Sequence, residues 1–152
     1  MLTISVTMAN LIETAYREAE ILGADSLKLV QMLYPGAIDS IGAARRHLQA
    51  GNIAGRSRAI MRAWNIVNEL RQSLNHSVGG EISRNLGGLY AYMQRRLLEA
   101  NSKQIEAPLA EVERLLSTLL GAWEQAAAQT AERQDETPSA STAEHVPISC
   151  AY

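Results

Sequence analysis

The chain has no phenylalanine, a single cysteine and no long apolar run, and each absence excludes a class of protein. Cys150 is the one thiol among 152 residues, so an internal disulfide framework is impossible and a reducing compartment is expected. No window approaches the ~18 consecutive apolar residues of a membrane-spanning helix. Residues 1–16 carry no positive side chain ahead of an apolar region, as a secretion signal requires. We therefore expect a cytoplasmic protein without membrane insertion.

Glycine and proline are scarce, with 10 and 4 residues, and neither sign of charge dominates, since 14 basic residues face 16 acidic ones. The near-neutral balance argues against a dedicated nucleic-acid binder. A chain of this length with 47% hydrophobic residues can bury a core without disulfides or metals. Many Leu, Ile and Ala in place of Phe favour helices over a β-sandwich.

Apolar residues recur at alternating steps of three and four along four long segments. Such a stripe is one face of an amphipathic helix. Short connections between long helices imply antiparallel neighbours, which predicts an all-α, up-down four-helix bundle over residues 25–129. The predicted helices cover residues 25–50, 52–77, 81–101 and 105–129. The first stripe includes Tyr34, Ala37, Ile41 and Ala44, and the last includes Leu109, Val112, Leu116, Leu119 and Trp123.

The two ends of the chain differ from this pattern. Residues 1–24 form a cap segment, in which residues 7–20 predict a short helix that must dock on the bundle to be stable. Residues 130–152 are rich in Ser, Thr and Glu, and Pro138 and Pro147 interrupt any helix there. This stretch buries too little apolar surface to offset its ordering entropy, so we predict a disordered tail.

Pro35 breaks the local rules, because it lies in the middle of the first predicted helix. A proline there cannot donate to the carbonyl of Gln31, and it costs roughly 3 kcal/mol relative to alanine. The apolar stripe nevertheless keeps its phase on both sides of Pro35. We therefore predict one kinked helix rather than two separate helices.

No pattern in the sequence indicates catalysis. His47, His76 and His145 lack the spacing of a metal site, and no Glu-x-x-His or HExxH motif is present. The glycine pairs at 79–80 and 87–88 do not follow a strand, so they are not phosphate-binding loops. The sequence therefore predicts neither an enzyme nor a metal site or other cofactor.

Positive charge is concentrated between residues 40 and 75, where six arginines face a single acid, Glu69. Two interpretations stay open: a regulatory adaptor that binds RNA or an acidic protein through this arginine-rich second helix, and an ordinary solvated helix face. Aromatic residues do not alternate with the arginines as base-stacking platforms, which weakens the RNA interpretation. The arginines are Arg45, Arg46, Arg56, Arg58, Arg62 and Arg71.

Three stretches resemble a known family. Residues 15–17 read AYR, residues 32–38 read MLYPGAI, and residues 79–101 read GGEISRNLGGLYAYMQRRLLEAN. Together they resemble the flagellar secretion chaperones of the FliS family over about residues 12–127. Two departures stand out: Asp25-Ser26 replaces the family's Ser-Pro helix start, and Pro35 replaces an Asp.

The resemblance implies an antiparallel four-helix bundle with an N-terminal cap. It also implies that the chain binds the C-terminal segment of flagellin, prevents premature polymerisation and delivers flagellin to the flagellar type III export apparatus without a cofactor. Whether two copies pair as a homodimer stays open. The residues expected at the flagellin-binding groove are Tyr16, Tyr34, Ile38, Tyr90 and Met93.

Overall fold

A computed structural model describes residues 25–74 and 76–136, and these residues form four helices. They are α1 (Asp25–Gln49), α2 (Ile53–Gln72), α3 (His76–Lys103) and α4 (Ala107–Glu136). No strand occurs among the described residues, which confirms the all-α four-helix prediction. The N-terminal cap, including Tyr16, and the tail from residue 137 onward, including Cys150, lie outside them.

The four helices form a closed ring, in which consecutive helices contact each other and α4 also contacts α1. Connections of a few residues make consecutive helices antiparallel. The predicted apolar stripes are the buried faces of this ring. The largest fully buried side chains are Tyr34, Ile41, Ile60, Val67, Leu70, Tyr90, Met93, Leu97, Leu109, Leu116 and Leu119.

Small residues bring α1 and α2 into the most extensive contact of the bundle. A Cβ atom on Gly36 would stand 3.5 Å from Cδ1 of Ile66, so the two helices are already in van der Waals contact there. Ala37 and Ala44 of α1 and Ala63 of α2 are fully buried in the same part of the core. Because packing distance between helices depends on the side chains at the contact, these residues set the close approach.

Two turns at one end of the bundle share a backbone design. After α1, Gly51 has a positive φ of 71°, and the Asn52 amide donates to the carbonyl of His47 at 2.9 Å. After α3, Gln104 has a φ of 56°, and the Ile105 amide donates to the carbonyl of Ala100 at 3.3 Å. Both are Schellman-type helix ends, which usually place glycine at the left-handed position.

The end of α2 differs from the prediction, because the helix stops at Gln72 rather than near residue 77. The Ser73 hydroxyl donates to the carbonyl of Leu70 at 2.8 Å, and its amide bonds to Glu69. Ser73 thus satisfies the last carbonyls, and α3 opens with a short segment from His76 ahead of the predicted start at residue 81. The predicted glycine stop is a break inside α3, where Gly80 has φ 51° and ψ −122°.

Helix α1 follows the prediction at Pro35, and helix α4 extends beyond its predicted end. Helix α1 runs unbroken through Pro35, which agrees with one helix rather than two. Gln31 and Pro35 are both exposed, so water can satisfy the carbonyl that Pro35 cannot bond. Helix α4 reaches Glu136, so the predictions that the bundle ends at residue 129 and that a disordered tail begins at residue 130 are wrong for residues 130–136. The added residues contain no glycine or proline, and Pro138 disfavours helix at the residue before it.

Candidate functional site

Three of the five predicted groove residues lie together inside the bundle. Tyr34, Tyr90 and Met93 have relative exposures of 0%, 1% and 0%. Ile38 is half-buried and packs against the edge of the core, and Tyr16 is outside the described residues. In this arrangement Tyr34, Tyr90 and Met93 have no surface to offer a partner. Their contacts stabilise the bundle, and Ile38 is the described member that a partner can touch.

A chain of hydrogen bonds crosses the core between α1, α3 and α4. The hydroxyls of Tyr34 and Tyr90 are 2.5 Å apart, and the indole Nε1 of Trp123 donates to the Tyr34 hydroxyl at 3.2 Å. Burial raises the pKa of Tyr34 to about 12, against smaller lowering effects of its bonds to Tyr90 and Trp123. Burial also raises the pKa of Tyr90 well above its usual value. Both phenols are therefore neutral at physiological pH and act as structural hydrogen-bonding groups.

Apolar residues outside the core stripe recur at every third position of α1, in a row that turns from one edge of its exposed face to the other, and we name Leu29, Met32, Pro35 and Ile38 the α1 row. Met32 is 74% exposed and Leu29 39% exposed, Pro35 is exposed, and Ile38 is half-buried. Residues spaced by three form one of the surface ridges with which helices pack against each other. Sequence reasoning singled out Ile38 alone, although the other three are recognisable as apolar residues off the core stripe.

A second apolar surface lies along the line where α2 meets α3. Hydrogen bonds fix its register: Arg56 and Ser57 bond to Asn101, and the Gln94 amide reaches the carbonyl of Trp64 at 3.5 Å. Met61 lies between Ser57 and Trp64, and Leu98 lies between Gln94 and Asn101. The two therefore face each other across this line. We name this surface the α2/α3 seam. It consists of Met61, Leu98 and half-buried Trp64, with Ile53 and Ile105 at one end.

The exposed fractions support this description of the seam. Ile53, Met61, Leu98 and Ile105 are 59%, 41%, 46% and 39% exposed. The indole Nε1 of Trp64 is buried without a hydrogen-bond partner, the one such side-chain atom among the described residues. The described residues therefore leave apolar side chains of the seam exposed and the Trp64 indole donor without an acceptor.

By contrast, ion pairs connect the beginning of α4, and Glu106 just before it, to α1 and α3. Arg45 of α1 bonds to Glu106 at 2.7 Å and to Glu113 at 2.6 Å. On the other side, Glu111 accepts hydrogen bonds from Arg96 and from the Tyr92 hydroxyl. The bonds to Glu106 and Glu113 raise the pKa of Arg45, and the bond to Glu111 raises that of Tyr92.

The structure divides the six arginines of residues 40–75 into different roles. Arg45 is paired as described, buried Arg56 bonds to Asn101, and Arg71 donates to Gln94 at 3.4 Å. Exposed Arg46, Arg58 and Arg62 have no carboxylate partner within the described residues. The concentration of positive charge is therefore real, but three of the six arginines are engaged in contacts within the bundle.

The described residues offer neither a metal site nor a membrane-spanning helix. They contain no group of three or more His, Cys, Asp or Glu side chains that could hold a metal ion. None of the four helices combines the length and hydropathy that a membrane crossing requires.

Comparison with known proteins defines the class. Residues 8–130 match the family model described as flagellar protein FliS. The chain is 39% identical over 109 residues to the flagellar secretion chaperone FliS of Salmonella typhimurium, covering 71% of this chain and 81% of that protein. It is 34% identical over 122 residues to the FliS of Bacillus subtilis, covering 80% and 89%. The flagellar secretion chaperone FliSB of Pseudomonas aeruginosa is 34% identical over 107 residues, covering 70% and 85%.

This chain therefore belongs to the FliS family. It is a chaperone of flagellar secretion and not an enzyme.

Proposed function

We propose that this chain binds the C-terminal segment of flagellin in the cytosol, prevents its premature polymerisation and delivers it to the flagellar type III export apparatus. The observation that carries the proposal is the family match over residues 8–130. The relatives are named flagellar secretion chaperones, and flagellin is the client that the sequence motifs imply.

The chemistry of the task agrees with an exposed apolar ridge on a rigid bundle. A segment that assembles into a filament carries apolar helical faces, which aggregate when they are left uncovered. A chaperone that offers a substitute face lets such a segment fold on its surface and blocks self-assembly. The α1 row supplies a face of this kind, because Met32 and Leu29 project from the bundle.

We assign different roles to the predicted groove residues within this proposal. Ile38 contacts the client directly as the last member of the α1 row. Tyr34, Tyr90 and Met93 support that surface from inside the core, where they are fully buried. Pro35 adds apolar surface at the position where the family pattern has a charged Asp, which favours a more apolar client segment here.

Light scattering of purified flagellin monomer tests the proposal. We expect an equimolar amount of the full chain to suppress filament assembly and to form a complex with flagellin on gel filtration. Met32→Glu places a charge in the middle of the α1 row and should weaken suppression at least about tenfold in chaperone concentration, which corresponds to about 1.4 kcal/mol. Undiminished assembly with no complex would refute the proposal.

The matched control is Ser117→Glu, which adds the same charge at an exposed position of α4. It should suppress assembly like the wild type. Circular dichroism of both variants establishes that the helices are intact. Equal loss in both variants would show that general charge, and not the α1 row, governs binding.

A further inference from the structure

We propose that the α2/α3 seam is a docking surface for an acidic amphipathic helix of a partner protein. The seam is separate from the α1 row, and its partner is defined by charge as well as by apolar surface. This inference does not depend on flagellin being the client of the chaperone.

The seam is rich in exposed apolar side chains. Met61 and Leu98 face each other across the two helices, and both are more than 40% exposed. Ile53 and Ile105 continue the apolar surface toward one end of the bundle. Two antiparallel helices with an apolar line between them present a groove that accepts a third helix, with contacts at i, i+3, i+4 and i+7.

Positive charge borders this apolar line on both sides. Arg58 lies one turn before Met61, and Arg95 lies one turn before Leu98, so each exposed apolar side chain has an exposed arginine as its neighbour. Arg62 and Arg84 extend the positive charge along the outer faces of α2 and α3. Within the described residues none of these four arginines has a carboxylate partner, and Arg95 lies over the ring of Tyr92 at 5.9 Å.

Acidic residues are absent from the facing stretches of α2 and α3. Residues 53–68 of α2 and residues 82–98 of α3 contain arginine but neither Asp nor Glu. Glu69 and Glu99 stand just beyond these stretches, and Glu99 is paired with Arg96 and Lys103, so the seam itself carries an excess of positive charge. A partner helix with an apolar stripe flanked by Glu or Asp would match both the groove and its two basic borders.

The unpartnered indole of Trp64 is consistent with a seam that another molecule completes. Its Nε1 is buried without an acceptor among the described residues, whereas the backbone carbonyl of Trp64 accepts from the Gln94 amide. An unsatisfied buried donor is unfavourable, and an acceptor oxygen from an occupant would relieve it after a small shift of the ring. Trp64 also provides a spectroscopic signal in the seam, because the other tryptophan, Trp123, is buried in the core.

A protein helix fits this surface better than RNA. Exposed Met61, Leu98, Ile53 and Ile105 provide apolar contact that a phosphate backbone does not use. Nucleic-acid surfaces of this kind present aromatic rings for base stacking. Here the Tyr92 hydroxyl is bound to Glu111 on the α4 side, and Trp64 is half-buried. The acidic-protein interpretation is therefore the one that the observations favour.

The test uses the full chain and a labelled synthetic helical peptide of about 18 residues, with leucine along one face and glutamate on both flanks. Fluorescence anisotropy measures its affinity. We expect at least tenfold tighter binding than for a peptide with lysine in place of glutamate, and weakening as salt rises. We also expect a change in tryptophan emission that is lost in Trp64→Phe. Equal affinity for both peptides would overturn the proposal.

Substitutions locate the binding on the seam. Leu98→Glu should weaken the peptide at least tenfold, and Arg58→Glu with Arg95→Glu should remove most of its salt dependence. Ser117→Glu on α4 is the matched control and should leave binding unchanged. A peptide that binds Leu98→Glu as tightly as the wild type, or that poly(U) RNA displaces at lower concentration than an unlabelled copy, refutes the assignment.

The flagellin assay separates this proposal from the proposed function. If the acidic peptide fails to bind while the chain still suppresses filament assembly, the seam assignment is wrong and the flagellin proposal stands. If the peptide binds as expected while assembly proceeds undiminished, the flagellin proposal is wrong and the seam assignment stands.

Discussion

Tyr90 and Leu98 lie two turns apart on α3, yet they belong to different regions of the molecule. Tyr90 is fully buried and bonds to Tyr34, whereas Leu98 is almost half exposed and belongs to the α2/α3 seam. The same contrast separates Met93 from Met32 and Met61. Residues that carry the family resemblance concentrate in the interior, and the apolar residues available to partners mostly lie beside them on the outer faces.

The contrast indicates that many residues of the motif blocks serve the packing of the bundle rather than the binding of a partner. MLYPGAI and LYAYM supply the aromatic hydroxyls and the methionine that hold α1, α3 and α4 together. The side chains that we propose for partner contacts belong to the same blocks, but they are exposed, such as Met32 beside Leu33 and Leu98 beside Leu97. The buried and the exposed residues of each block can therefore be tested separately by mutation.

The largest expected difference between the two regions is between two methionines. Met93→Ala removes a fully buried side chain and leaves a cavity, so the free energy of unfolding should fall by about 2–5 kcal/mol. Met32→Ala removes a side chain that is 74% exposed and should change stability by less than about 0.5 kcal/mol. Urea unfolding followed by circular dichroism measures both. Similar losses in the two variants would contradict the division into interior and outer surface.

Pro35 tests whether a member of the α1 row serves stability or binding. Pro35→Ala restores a donor to the carbonyl of Gln31 at an exposed position, so it should raise the free energy of unfolding by up to about 3 kcal/mol. Asp39→Ala, one turn further along the exposed side of α1, is the control and should stay within about 0.5 kcal/mol. A lower melting temperature for Pro35→Ala would mean that the proline is required by the packing of α1.

Alkaline pH should act on the interior and not on the seam. Burial raises the pKa of Tyr34 to about 12 and that of Tyr90 well above 10, so the folded chain keeps both protons where the unfolded chain loses them. This contribution to stability is complete below about pH 10 and falls by about 1.4 kcal/mol per pH unit per phenol as pH rises toward 12. Urea unfolding between pH 9 and 11.5, as an approximate range, measures the slope.

The Tyr34→Phe variant sharpens the alkaline experiment. It lacks one of the two buried phenols, so its stability should fall less steeply above pH 10 than that of the wild type, although it is less stable at neutral pH. An identical slope in the two proteins would indicate that other groups cause the alkaline loss.

Periodicity predicted the helices and their buried faces, because steps of three and four place Tyr34, Ile41 and Leu116 on the inward side of any amphipathic helix. It missed the end of α2, since the stop comes from the Ser73 hydroxyl rather than from the glycine pair. The seam could not be predicted at all. The position of Met61 opposite Leu98 depends on the register of α2 against α3, which the bonds of Gln94 and Asn101 fix in three dimensions.

The smallest expected effect concerns the two turns at the end of the bundle where the seam begins. Gln104→Gly should raise the free energy of unfolding by about 1 kcal/mol, because a positive φ is costly for a residue with a Cβ atom. Gly51→Gln is the reciprocal control and should lower it by about the same amount, since space for the side chain is open there. Thermal unfolding measures both. A loss of stability in Gln104→Gly would show that the glutamine side chain makes a contact that outweighs the backbone strain.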